Sequence, residues 1–198
     1  MKVWKQIFQA NGQKKKKAGV ARLITDKIDF KKRTVKRDPE DHYIILKGRI
    51  YQEDINIVNI HAPNIGAPRY IKKILEDFKK DIDTNTIIVG DFNTPLSKMD
   101  RSSKQNVNKD MTLNNALDEM ELTDTYRAFN PKEATYTCFS NAPGIFSKIA
   151  HMIGHKTSLR KFKKIKIISS IFSDHKGLKL ETNLKEKNPK ILKNMEIE

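Results

Sequence analysis

The chain has 198 residues and a formal charge of +15, from 39 Lys and Arg against 24 Asp and Glu. That length suits a single domain, and no stretch approaches the roughly 18 consecutive apolar residues of a membrane span. One cysteine, Cys138, excludes an internal disulfide framework and a cysteine zinc cluster. The N-terminus has no apolar run of signal-peptide type, so the expected place is inside the cell, in nucleus or cytoplasm, and not secreted. The lysine excess favours a polyanion such as DNA as partner, and a solvated lysine-rich surface explains the composition equally well.

In chain order, the four lysines at 14–17 read as an exposed turn. Residues 18–30 alternate well enough for a strand, with Arg22 out of place among Val20, Leu23 and Ile24. Residues 43–50 and 55–60 are β-rich runs joined by the polar Tyr51-Gln52-Glu53-Asp54, a hairpin pattern. After a loop marked by Pro63, Gly66 and Pro68, the residues Tyr70, Ile71, Ile74, Leu75, Phe78 and Ile82 share one face of a helix. Residues 86–90 form a short apolar strand of the kind that helices cover on both faces. A second helix is expected over 111–122, with Thr112 as its candidate N-cap, and further strands over 134–139, 148–153, 163–169 and 177–182. Residues 1–184 would form the domain and 185–198 a frayed tail. Hairpins mixed with a few helices imply a layered α/β protein.

Three blocks carry candidate chemistry. In Ile87-Ile88-Val89-Gly90-Asp91-Phe92-Asn93-Thr94-Pro95 an apolar strand delivers an acid and an amide to a sheet edge. Strand alternation would put Asp91 and Asn93 on one side and Phe92 inside. The carboxylate can take a proton from water and the amide can hold a phosphoryl oxygen; a turn cap before Pro95 would use the same residues. Ser173-Asp174-His175 offers an imidazole beside an acid, and reads equally as a polar turn. Ile57-Val58-Asn59-Ile60-His61-Ala62-Pro63-Asn64 is a strand closing in a Pro-Asn turn, where Asn64 contacts phosphate or merely ends the turn.

These blocks, in this order, resemble the endonuclease/exonuclease/phosphatase superfamily. The similarity is greatest to the apurinic-type endonuclease domain of mammalian long interspersed retrotransposon reverse-transcriptase polyproteins. It runs from about Trp4 through VNIHAPNIGAPRYIKKILEDF, IIVGDFNTPLS, LTDTYRAFNP, ATYTCFS and SKIAHMIG to FSDHKGLKLE. The resemblance implies a DNase-I-like four-layer α/β sandwich, incomplete here at its N-terminal edge, and Mg²⁺-assisted hydrolysis of a DNA phosphodiester. It implies no membrane and no small-molecule cofactor. Carried over by position, Asp91 would activate water, Asn93 would help bind the scissile phosphate and His175 would contact it in the transition state. Asp174 would hold the nearby metal and hydrogen-bond network, as a weak metal ligand. His61 and Asn64 would approach the phosphate, and Thr137 would touch the DNA backbone.

The sequence departs from the family pattern in three places. Family members open with a strand bearing an asparagine and a second strand ending in a metal-binding glutamate, and the resemblance here starts downstream of both. The family's S-K-I-D-H is Ser147-Lys148-Ile149-Ala150-His151, with alanine in the aspartate's place, and the family's Y-A-P-N tyrosine is His61. The expectation is therefore low Mg²⁺ affinity and a degenerate site. Three functions compete: a Mg²⁺-dependent DNA endonuclease, a non-catalytic basic nucleic-acid binder, and a fragment unable to fold alone.

Overall fold

The computed structural model describes residues 4–10, 20–25, 27–102, 111–140, 144–169, 175–183 and 194–197. Six strands form the central sheet: β3 (Phe30–Arg37), β4 (Tyr43–Ile50), β5 (Glu53–His61), β6 (Thr86–Asp91), β7 (Leu122–Asp124) and β10 (Ala150–His155), in the order β3-β4-β5-β6-β10-β7. Only β5 and β6 run parallel. The crossover between them contains α1 (Ala67–Asp77), as a parallel connection requires. Tyr51 and Gln52 make the expected β4–β5 turn, both in the left-handed region that a tight hairpin needs.

The strands β4, β5, β6 and β10 alternate between two cores. Ile45, Val58, Ile60 and Ile88 face α1 and α2 (Met111–Glu119), meeting Ile71, Ile74, Leu75, Phe78, Leu113 and Leu117. Ile44, Leu46, Ile55, Ile57, Ile87, Val89 and Met152 face the other way. They meet a second β layer built from two separate sheets. One is β1 (Trp4–Ala10) with β2 (Val20–Thr25), giving Phe8, Ala10, Val20 and Ile24. The other is β11 (Phe162–Ile168), β12 (Gly177–Thr182) and β13 (Asn194–Ile197), giving Phe162, Ile165, Leu178 and Leu180. The short pair β8 (Cys138–Ser140) and β9 (Ile145–Ser147) forms a hairpin apart from both, and α3 (Thr125–Phe129) follows β7.

Several expectations need correction. β6 is buried on both faces, but one cover is a sheet and not a helix layer; apolar strands look alike under either. The single strand expected over 18–30 is β2 and the start of β3. Trp4–Ala10 is a strand whose apolar residues Trp4, Ile7, Phe8 and Ala10 do not alternate strictly, and Phe30–Arg37 is a strand hidden by its lysines and arginines. Thr112 lies inside α2, so it is not the cap. Within the tail, Asn194–Ile197 pairs with β12. The lysine run 14–17 lies outside the described residues.

Candidate active site

The ends of β5 and β6 and the beginning of β10 meet at one edge of the central sheet. Gly90 brings β6 and β5 together there. Its φ is +136°, and a Cβ on it would stand 1.9 Å from the Ile60 carbonyl oxygen, so only glycine fits. Asp91 follows, with His61 beside it in the β5 register and Ala150 beside it in the β10 register. All three side chains lie on the sheet face turned towards the second β layer.

Beyond Asp91 the chain leaves the sheet. Phe92 is buried against the helices, and its N–H donates to the Ile149 carbonyl (2.8 Å). Asn93 reaches Asp91 by a turn and not by the strand alternation expected. With φ at +47°, its backbone N–H donates to Asp91 Oδ1 (2.9 Å) and its Nδ2 donates to the Ala62 carbonyl (2.6 Å). Asparagine tolerates this left-handed conformation better than most residues. His175 Nδ1 lies 3.5 Å from Asp91 Oδ2, and its Nε2 lies 3.6 Å from Cys138 Sγ. Asp91, Asn93, His61 and His175 are thus brought together.

The site opens into a cavity of about 280 Å³ between the two β layers. Ala21 and Leu23 of β2, Leu178 of β12 and Met152 of β10 line its apolar part; Asn59, His61, Asp91, His175 and Lys176 line its polar part. Two other candidates fall elsewhere. Asn64 is exposed and is not in the cavity wall. Thr137 is fully buried. Its hydroxyl accepts from the N–H groups of Ile149 (3.0 Å) and Ala150 (3.1 Å), and its carbonyl accepts from Lys176 N–H (2.8 Å). It therefore pins β10 and the His175 segment in place, where a direct DNA contact was expected. Asp174 lies outside the described residues.

No family model matches the sequence. Solved structures do match the fold. The endonuclease domain of TRAS1, a telomere-specific non-LTR retrotransposon, superposes with a TM-score of 0.69 at 16% identity, over 91% of this chain and 81% of that one. The Xenopus laevis APE2 catalytic domain gives 0.71 at 14%, over 89% and 74%. The 3′ phosphatase NExo from Neisseria, bound to product DNA hairpin, gives 0.66 at 16%, over 89% and 79%. The fold is the DNase-I-like fold that these solved structures share. Within it, the sheet edge carrying Asp91 is the place where the sequence motifs converge.

Behind that edge, this DNase-I-like domain buries a cluster of charges that the sequence did not reveal. Lys148, with no exposed surface, donates to Asp124 Oδ2 and lies 3.7 Å from Asp100 Oδ1. Arg127 Nη2 donates to Asp100 Oδ1 (2.7 Å). Burial alone would raise the Asp124 pKa, but the Lys148 charge and the bonds from His151 and Lys148 hold it well below the ordinary carboxylate range. The one local trace is His151, which interrupts the apolar run Ile149-Ala150-Met152-Ile153 as Arg22 interrupts that of β2.

Two places present groups that could meet a metal ion. Asp100, Asp124 and His151 present ligand atoms within 4.8 Å of one another, close enough to hold a cation. The Lys148 ammonium already stands among them and neutralises Asp124, so a divalent ion would have to displace a buried charge. At the sheet edge, Asp91 is the only carboxylate among the described residues lining the cavity, and its Oδ1 is bonded to Asn93. Mg²⁺ demands near-octahedral oxygen ligation anchored by carboxylates. The described donor set does not fit it. Among the described residues, no helix is long and apolar enough to cross a membrane.

Proposed function

We propose that this chain binds DNA by its phosphate backbone at the Asp91 edge, with little or no phosphodiester hydrolysis. The observation that carries the reading is Ala150 beside Asp91, in the register position where a second carboxylate would complete the site. A phosphate entering the cavity mouth meets donors from His175, Lys176 and His61. One carboxylate can take a proton from an attacking water, but among the described residues the phosphate's growing negative charge has only these side-chain donors to balance it. Hydrolytic sites act as units, and the loss of one member costs orders of magnitude in rate. The nuclease neighbours, one of them in complex with a DNA hairpin, support a nucleic-acid ligand. So does the +15 charge.

The alternative is a Mg²⁺-dependent endonuclease of the retrotransposon type, supported by the convergence of Asp91, Asn93 and His175. Incubating supercoiled plasmid with the purified chain and Mg²⁺ separates the two. The proposal expects a gel shift without nicking, and it expects Asp91→Ala to keep its DNA affinity within a few-fold of the parent. Nicking that needs both Mg²⁺ and Asp91 establishes the alternative.

A further inference from the structure

We propose that the buried charges behind the sheet are the mount of the Asp91–Asn93 loop, with His151 as the positioning residue that sets it. The inference rests on reading the Asp91 edge, which that loop borders, as the phosphate-binding site. On β10, Ala150 and Met152 face the cavity layer, while His151 and Ile153 face the helices. His151 is fully buried, with its ring 5.3 Å from that of Phe92. Its Nε2 lies 3.0 Å from the Thr94 carbonyl oxygen. A carbonyl can only accept, so Nε2 carries a proton. On the other side of the ring, Lys148 Nζ lies 2.9 Å and Asp124 Oδ2 2.8 Å from Nδ1. If Nδ1 accepts from Lys148 the ring is the neutral Nε2–H tautomer; if it donates to Asp124 the ring is an imidazolium. Nε2 keeps its proton in both.

The second anchor is Asp100. Its Oδ2 accepts from the N–H groups of Leu96 (3.2 Å) and Ser97 (2.8 Å), while its carbonyl accepts from Lys148 N–H (2.7 Å). The loop is thus gripped at Thr94 by His151 and at Leu96–Ser97 by Asp100. Lys148 joins the two grips. Between Asp91, fixed in the sheet, and Thr94, fixed by His151, Asn93 has no slack: its left-handed backbone and its bonds to Asp91 and Ala62 are set by the residues on either side. Buried, mutually neutralised charges make a stiff support, because any sliding of the loop would strand one of them unpaired.

The test uses the full chain labelled with ¹⁵N. In the parent protein, the His151 imidazole is expected to show a protonated Nε2 at neutral pH. His151→Gln places an amide N–H where Nε2–H stands; His151→Phe keeps the ring packing against Phe92 and removes the donor. The glutamine variant is expected to retain the Asn93 backbone and side-chain amide resonances and the parent's affinity for a short DNA duplex. The phenylalanine variant is expected to melt cooperatively, to shift those resonances and to bind the duplex several-fold more weakly. Unchanged Asn93 resonances in a folded His151→Phe overturn the inference, as do equal shifts in both variants. Should His151→Phe fail to fold, a parent His151 with a lone pair on Nε2 overturns it alone. If the parent shows no DNA binding, the phosphate-binding reading fails, and the Asn93 resonances still decide the mount.

Discussion

Arg22 is the residue least matched to its surroundings. It lies on the buried face of β2 between Val20 and Ile24, only 8% exposed, and its Nε and Nη2 have no hydrogen-bond partner. Burial lowers its pKa from the ordinary guanidinium range to about 10. An unpaired buried donor costs about 1–3 kcal/mol, more when charged, so Arg22→Ile is expected to stabilise the fold by at least about 1 kcal/mol in urea denaturation at neutral pH. Above about pH 10 the unfolded chain still binds the proton that the folded one has lost. Parent stability rises through that window, so the advantage of the variant shrinks there. Ala150 is the other telling residue. Ala150→Asp sets a second carboxylate beside Asp91, and it is expected to raise Mn²⁺ affinity by roughly tenfold or more in calorimetry. No gain would mean that Ala150 is not what keeps the metal out.

At the scale of elements, the site depends on how closely β5 and β6 approach. Gly90→Ala forces a Cβ into the Ile60 carbonyl and is expected to cost roughly 3 kcal/mol or to prevent folding, read as a lowered urea midpoint. The support behind β10 gives an acid-sensitive signature. Because the folded-state pKa of Asp124 is depressed below 3.8, its contribution is complete above that pH and is lost as the pH falls below it. Asp124→Asn is therefore expected to be less stable than the parent at neutral pH and to lose less on acidification, in melts taken across pH 2–7. The elements most legible in the sequence were those with a clean period: α1 through Ile71, Ile74 and Leu75, and β12 over Gly177–Thr182. β3 was not legible. Its FKKRTVKR sits at the edge of the sheet, where lysine and arginine guard an open strand edge and erase the apolar alternation. The buried ion cluster escaped for a related reason, since Asp100, Asp124 and Lys148 are far apart in sequence and only the fold pairs them.

For the whole molecule, the second β layer comes as two sheets with the cavity between them, and the surface is strongly basic. Binding governed by that surface should weaken by roughly a hundredfold or more between low and physiological salt; a flat salt profile in fluorescence anisotropy would point to contacts other than phosphate. The motifs singled out Asp91, Asn93 and His175 separately, and the topology brings the chain segments that carry them to one edge. They misplaced Thr137, whose burial no spacing could reveal. The central claim is that this DNase-I-like domain holds DNA at Asp91 without cutting it. The most direct measurement is nicking of supercoiled plasmid with Mg²⁺, run beside Asp91→Ala and an EDTA control. The account predicts retarded but uncut plasmid in every lane containing a cooperatively melting protein. Nicking by the parent that disappears both with EDTA and with Asp91→Ala would contradict it.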